Sequence, residues 1–341
     1  MKNSYLIFWK KTFLFLFIYF LFTSKCIGTT IDQIINPESA FSTAEGRIFV
    51  SEIGGFGVKN DGRILEVFKD GKVNVIASGL NDPKGLIVVE NIIYVTDVDE
   101  IKKVTLSGEV TTWLGPKNFP KKTAFLNDIA LGLNNIIYIS DSGNKVDGMR
   151  KGGAVFQVST NKEVSVLVDN KNNPEFLAPN GLLVIEPNYL LVADFTTGIL
   201  SRISLNSKKI VKIADGFGGG DGLAYYGKKL YISDWRGGKI WGGVINGTQY
   251  DPKVIKSGFV NPADICITLD GKNIVIPEMM FEKSDGGRVS FFAINWCFFC
   301  PKWYLLVLDD QLFLFWMGID ALNWVISCTH TYGFLLRWLV E

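Results

Sequence analysis

The sequence of 341 residues predicts an all-β fold, a six-bladed β-propeller closed by an N-terminal strand and preceded by a signal segment. One segment recurs six times: a polar residue, a short apolar strand, a turn, and a second strand ending in Asp or Glu. The copies start 41 to 52 residues apart, which is the length of a propeller blade. No helical period appears between residues 29 and 294. One repeat cannot bury its own faces, so six are expected to pack around an axis.

The six copies share their length and their turns. In each, the first and last residues lie 13 or 14 positions apart. Hairpin signals such as Asp70-Gly71 follow and complete the blades. The copies run from Glu38 to Glu52, Lys84 to Asp97, Asp128 to Asp141, Asn180 to Asp194, Asp221 to Asp234, and Asp264 to Glu278.

The last repeat supplies only three strands, the third of them from Arg288 to Ala293. Because a blade has four, the β-type segment from Thr29 to Asn36 is predicted to be the missing strand. That pairing would close the ring and cover two sheet edges. The propeller domain is therefore predicted to span residues 29–294.

Residues 1–28 have the pattern of a secretory signal. Lys10 and Lys11 precede an uncharged run from Thr12 to Phe22, which is too short for a spanning helix. A cleaved signal is preferred to a retained anchor, so the mature protein is expected to be extracytoplasmic, either secreted or periplasmic. There the lone Cys266 of the repeats cannot form a disulfide framework.

Residues 295–341 form an apolar tail without the repeat. It contains Cys297 and Cys300 at CxxC spacing, without the second ligand pair or βαβ context that zinc or redox chemistry needs. Two interpretations stay open: a tail outside the evolved domain, or a membrane-associating tail. Its apolar runs are too short to span a bilayer.

Composition limits the function classes. The 35 Lys and Arg balance 34 Asp and Glu, and no basic cluster indicates nucleic-acid binding. The single histidine, His330, lies outside the repeats, which excludes a Ser-His-Asp triad or a His-rich metal site within them. Chemistry in the ring must therefore come from carboxylates, amides, lysines or a hard metal ion.

The residues that begin the six repeats, called here the heading residues, are expected to converge at one channel mouth, because the first strand of each blade lines the channel. Carboxylate and amide oxygens at one axis suit Ca²⁺ or another hard divalent cation. The competing interpretation is that these residues only form turns. The heading residues are Glu38, Lys84, Asn127 with Asp128, Asn180, Asp221 and Asp264.

A second set of acidic residues, the strand-end residues, closes the second strand of each repeat and is interpreted as mostly turn-forming. Glycine-rich loops such as Gly216–Asp221 lack the strand-to-helix context of a phosphate loop and fit tight crossings between blades. The strand-end residues are Glu52, Asp97, Asp141, Asp194, Asp234 and Glu278.

The heading residues carry a resemblance to the family of gluconolactonase, senescence marker protein and luciferin-regenerating enzyme. Pro37-Glu38, Asn180-Gly-Leu-Leu and Asp221-Gly-Leu-Ala resemble that family's metal-binding motifs, in the family's order. The resemblance implies Glu38, Asn180 and Asp221 as metal ligands, with Asp221 also a general base. Asn127-Asp128 resembles the motif beside metal and substrate.

This chain departs from the family pattern in its substrate motifs. Phe125 stands where the family often has a substrate-binding Arg, and Ile129 follows Asn127-Asp128 where the family has Gly. The chain is therefore identified as a diverged member.

Two functions stay open. The first is a monomeric, metal-dependent hydrolase of a lactone or related ester, with Asp221 or Asp128 handling the proton and Asn127 and Lys84 binding substrate. Its cation would be Ca²⁺ foremost, with Zn²⁺, Mg²⁺ or Mn²⁺ as alternatives. The second is a secreted propeller that binds a protein or glycan without catalysis.

Overall fold

The computed structural model describes residues 28–185, 188–281 and 286–294 in full, together with the backbone of four strands between residues 302 and 338. Within this part of the chain the only helical pieces are two 3-10 turns, Pro116–Asn118 and Leu133–Asn135. None of the described helices has the length and apolar character that crossing a bilayer requires. The predicted all-β class is confirmed.

Five blades are antiparallel meanders in chain order, each running outward from its first strand. Blade 1 is Pro37–Ser42, Ile48–Glu52, Gly62–Val67 and Val73–Leu80; blade 2 is Pro83–Val89, Ile92–Asp97, Glu100–Thr105 and Val110–Leu114. Blade 3 is Leu126–Leu131, Ile137–Asp141, Ala154–Val158 and Val164–Asp169. Blade 4 is Pro179–Ile185, Tyr189–Asp194, Leu200–Ser204 and Ile210–Ala214; blade 5 is Gly220–Tyr226, Lys229–Asp234, Lys239–Asn246 and Lys253–Ser257, with Gln249–Tyr250 alongside.

Blade 6 draws its strands from both ends of the propeller: Cys266–Ile267, Asn273–Glu278, Arg288–Ala293 and Thr30–Asp32. Thr30–Asp32 pairs antiparallel with Arg288–Ala293, with Ile31 opposite Val289. The first strands of blades 6 and 1 also meet, where Asp264 N donates to Glu38 O at 2.8 Å. The six blades therefore form a closed ring.

The apolar core is divided among the blade interfaces. Six clusters of buried side chains each join two neighbouring blades, including the pair formed by the last blade and the first. Phe49, Phe156 and Phe291 are among the largest side chains fully buried in these clusters. Burial of each such side chain contributes about 1.5–3 kcal/mol to the free energy of unfolding. The blade faces thus hold the ring together and leave its axis free for polar residues.

The tail has strands of its own. Lys302–Leu308, Gln311–Met317, Asn323–Cys328 and Leu335–Trp338 pair in that order as an antiparallel sheet. The rest of the tail and the predicted signal segment lie outside the described residues, so both interpretations of the tail and the extracytoplasmic location stay predictions.

Candidate functional site

A β-bulge lies at the heading residue in five of the six blades. In blades 1 to 5 the register of the first strand shifts at the heading residue, for example between Gly220 and Leu223 around Asp221. In three blades a serine of the second strand accepts the N–H that the bulge frees, as where Gly222 N donates to Ser233 Oγ at 2.7 Å. A bulge turns a side chain out of its normal alternation, so these side chains converge at one mouth of the channel.

The convergence forms a cavity of about 130 Å³. Glu38, Lys84, Asn127, Asn180 and Asp221 line it together, from blades 1, 2, 3, 4 and 5. The five come from separate blades and meet only through closure of the ring. The predicted metal ligands and both predicted substrate-binding residues are thus in one place.

Asp128 and Asp264 do not join this cavity. They follow Asn127 and Ala263 and lie one layer deeper along the axis, where both line a second cavity of about 490 Å³. The register shift between Leu126 and Ile129 spans Asn127 and Asp128, and the two side chains line different cavities. In blade 6 the residue level with the other heading residues is Ala263, buried beside Ile53 and Met279.

The deeper carboxylates have internal partners. Asp128 Oδ1 accepts from Ile129 N and its Oδ2 from Leu182 N, each at 2.6 Å, which ties blade 3 to blade 4. Ser39 Oγ donates to Asp264 Oδ2 at 2.6 Å. Burial raises the pKa of Asp264 to about 7. Asp128 therefore braces two blades and does not line the cavity of Asp221.

Glu38 and Asp221 are the two carboxylates of the first cavity, and each has a bare oxygen. Glu38 Oε2 and Asp221 Oδ1 are buried without a hydrogen-bond partner among the described residues. Burial raises the pKa of Glu38 well above its ordinary value, and the charge of Asp221 raises it further. Burial likewise raises the pKa of Asp221, against a hydrogen bond with the Asn180 side chain. Two carboxylates in this state favour a bound cation.

Lys84 does not neutralise them by contact. Its side chain is 2% exposed, its Nζ donates to Asp82 O at 3.0 Å, and the same atom lies 4.5 Å from the centre of the Phe125 ring. Burial lowers the pKa of Lys84, while Glu38 raises it. None of the ion pairs in the described part of the chain involves Lys84.

The donor set suits a hard cation better than a soft one. Glu38 and Asp221 offer carboxylate oxygens and Asn180 an amide oxygen, the ligands that Ca²⁺ and Mg²⁺ take. No group of three or more His, Cys, Asp or Glu side chains arranged as a metal centre occurs among the described residues. Three protein ligands would leave positions for solvent or substrate.

The strand-end residues form turns, as the sequence predicts. Each accepts hydrogen bonds from the loop that leads into the first strand of its own blade: Asp97 from Asn81 N and Asp82 N, and Asp234 from Gly219 N. Glu52 and Glu278 add arginine partners, Arg63 and Arg288. These bonds fix the loops that set the heading residues in place.

The walls of the cavity were missed by the sequence reasoning. Five residues of these walls directly follow a strand-end residue in the sequence: Ile53, Ser142, Phe195, Trp235 and Met279. That position after each repeat was the available signal. Phe56, Phe281 and Arg150 also line the cavity, and no repeat position marks them. Asn127 donates through its Nδ2 to one wall residue, Ser142 Oγ, at 3.1 Å.

Comparison with known proteins gives a likeness in structure only. No protein-family model and no curated protein sequence matches the chain. A luciferin-regenerating enzyme superposes with a TM-score of 0.62 at 12% identity, over 79% of this chain and 96% of that one. A protein assigned as a gluconolactonase gives 0.57 at 15% identity, over 78% and 92%.

This chain has their six-bladed propeller fold. The fold also occurs in the structure of a nidogen/laminin complex, with a TM-score of 0.52 at 15% identity over 64% of this chain and 80% of that one. The fold predicted from the repeats is therefore confirmed, and the function must be argued from the cavity.

Proposed function

We propose that the protein is a divalent-metal-dependent hydrolase of a lactone or related ester, acting at the cavity of Glu38, Asn180 and Asp221. One observation carries this proposal: Glu38 Oε2 and Asp221 Oδ1 are buried, unpartnered in the described residues, and line the same cavity. Buried carboxylate oxygens ordinarily have partners. Two such oxygens beside the Asn180 amide support a cation held by these three residues.

The cation and the residues of the cavity have separate roles in the proposed hydrolysis. When bound, the cation supplies Lewis-acid polarisation of the substrate carbonyl group. Asp221 accepts a proton from the attacking water while the water oxygen forms its bond to the carbonyl carbon. When the ester C–O bond breaks, Asp221 returns that proton to the leaving alkoxide. Asn127, oriented by Ser142, and Lys84 bind the substrate beside it. The product of a lactone is then the open hydroxy acid.

The test combines metal analysis with an activity panel. The purified protein is assayed for bound Ca²⁺, Mg²⁺, Mn²⁺ and Zn²⁺, and then for hydrolysis of lactones and simple esters before and after EDTA treatment. Hydrolysis that EDTA abolishes and added cation restores supports the proposal. A protein that binds no cation and hydrolyses nothing on the panel contradicts it.

A second function is a non-catalytic propeller that binds a protein or glycan. Two observations favour it: the same fold was solved in a complex of nidogen with laminin, and Phe125 stands at the position where the resembled family often has a substrate-binding Arg. A bound cation without hydrolysis of any panel compound would favour this alternative.

A further inference from the structure

We propose that Arg150, with Lys84, forms an anion subsite in this cavity, and that the ligand carries a carboxylate group attached to a planar apolar body. This inference deepens the proposed function: the ligand is a substrate only if the protein is a hydrolase. It would make the substrate an acidic aryl or similarly apolar ester or lactone in place of a polyhydroxylated sugar lactone.

Arg150 reaches the cavity from an excursion within blade 3. It lies on the second strand of the hairpin Asn144–Val146 and Met149–Lys151, inserted between two strands of the blade. The hairpin is tied to blade 4, because Thr196 Oγ1 donates to Arg150 O at 2.9 Å. The Arg150 side chain is thereby held over the cavity from outside the repeat.

The guanidinium group of Arg150 is held in position by two contacts and keeps free N–H donors. Its Cζ lies 3.3 Å from the centre of the Phe125 ring, and its Nη1 donates to Gly143 O at 2.9 Å. That is the one hydrogen bond its five N–H donors make within the described residues. A planar guanidinium with free donors in a cavity suits a carboxylate, which it can bind through two parallel hydrogen bonds.

Arg150 and Lys84 are two cations at one aromatic ring, and the charges of Glu38 on Lys84 and of Asp141 on Arg150 act without a direct ion pair. Both lie over the ring of Phe125, and burial foremost, with the charge of Arg150 in addition, lowers the pKa of Lys84. Neither takes part in an ion pair within the described part of the chain. Two like charges above one ring repel each other, so an anion between them would be stabilised by both.

The rest of the wall is mostly aromatic, and Ser142 is its one further polar side chain among the described residues. Phe195 packs edge-on to Trp235 at 5.8 Å between ring centres, and Phe281 lies 4.9 Å from Phe56. The indole N–H of Trp235 is already donated to Met279 Sδ at 3.2 Å. Against this part of the wall a planar apolar group packs better than sugar hydroxyls, which would find no free donor there.

The experiment measures binding apart from catalysis. Calorimetric titration compares phenylacetate with its neutral isostere phenylacetamide on the metal-loaded full chain. Wild type is expected to prefer the carboxylate by at least about tenfold, the effect of one charge-assisted hydrogen bond. Arg150→Met should remove that preference, and Arg150→Lys should keep part of it.

Arg236→Met is the matched control, because Arg236 also stacks on a phenyl ring, that of Phe195 at 4.3 Å, without lining the cavity. It should leave the preference unchanged. Should Arg150→Met fail to fold, added salt must weaken phenylacetate binding to wild type but not phenylacetamide binding. Equal binding of both compounds, or a preference that survives Arg150→Met and is lost after EDTA, would overturn the subsite.

The two proposals fail separately. A preference that depends on Arg150, in a protein that hydrolyses nothing, supports the subsite and contradicts the hydrolase. Hydrolysis of neutral lactones without a preference for phenylacetate supports the hydrolase and overturns the subsite.

Discussion

The heading carboxylates Glu38 and Asp221 lie at the same end of their strand pairs as the strand-end residues Glu52 and Asp234, yet the two sets are in opposite states. Asp234 accepts N–H groups from Gly219 and Gly237, as a turn-forming residue should. Asp221, on the adjacent strand, keeps a buried oxygen bare. A satisfied carboxylate stabilises the fold, whereas a bare buried one costs free energy that a ligand can recover. The strand-end carboxylates therefore stabilise the ring, whereas the bare heading carboxylates are available to bind a ligand.

The largest effect is expected at Asp221. Asp221→Asn keeps the shape and removes the charge, so it should lower kcat/KM for a hydrolysed ester by about 100- to 10,000-fold, the contribution of a general base. The measurement is steady-state kinetics on variants whose folding is verified by circular dichroism. The matched variant Asp234→Asn should retain hydrolysis, and full activity in Asp221→Asn would remove the distinction between the two sets.

Ring closure comes next. Deleting residues 29–36 removes Ile31 and Ile34, which are 5% and 3% exposed, and uncovers the edge of Arg288–Ala293. Two buried isoleucines correspond to about 3–6 kcal/mol, so the melting temperature should fall sharply. Thr30→Ala, an exposed change in the same strand, is the control. An unchanged melting temperature after deletion would contradict closure by this strand.

Removal of the cation should lower the melting temperature only where the heading residues that bind it are intact. EDTA should lower the melting temperature of wild type, since a ligand present at 100 times its Kd stabilises by about 2.7 kcal/mol. Glu38→Gln should show no such shift, because its bare oxygen no longer carries charge. Asp194→Asn, a strand-end change, should keep the full EDTA shift. An EDTA shift that persists in Glu38→Gln would place the cation elsewhere.

The smallest effect is expected at the strand ends. Asp234→Asn weakens hydrogen bonds to two backbone N–H groups and should cost about 1–3 kcal/mol in the free energy of unfolding. Denaturant titration measures it. Asp221→Asn, which removes an unfavourable buried charge, should cost less in metal-free protein. The reverse order would show that Asp221 is the structural residue of the pair.

The ring and the turn-forming role of the strand-end residues could be predicted from the amino-acid sequence. The predicted convergence of all the heading residues at one mouth holds for five of them and is wrong for Asp128 and Asp264. This was possible because the blade recurs along the chain, and a repeated position occupies a similar place in every blade. Asn127, Asn180 and Asp221 could therefore be placed at one mouth without coordinates.

The remaining features of the site depend on contacts between blades and could not be predicted from the sequence. Asn127 and Asp128 line different cavities, and Asp264 lies outside the cavity of Asp221. These are differences of a single position, which a repeat of 41 to 52 residues does not resolve. Arg150 lies on an inserted hairpin whose position depends on a contact with Thr196 in the next blade. Such a contact joins residues far apart in sequence, and no local pattern encodes it.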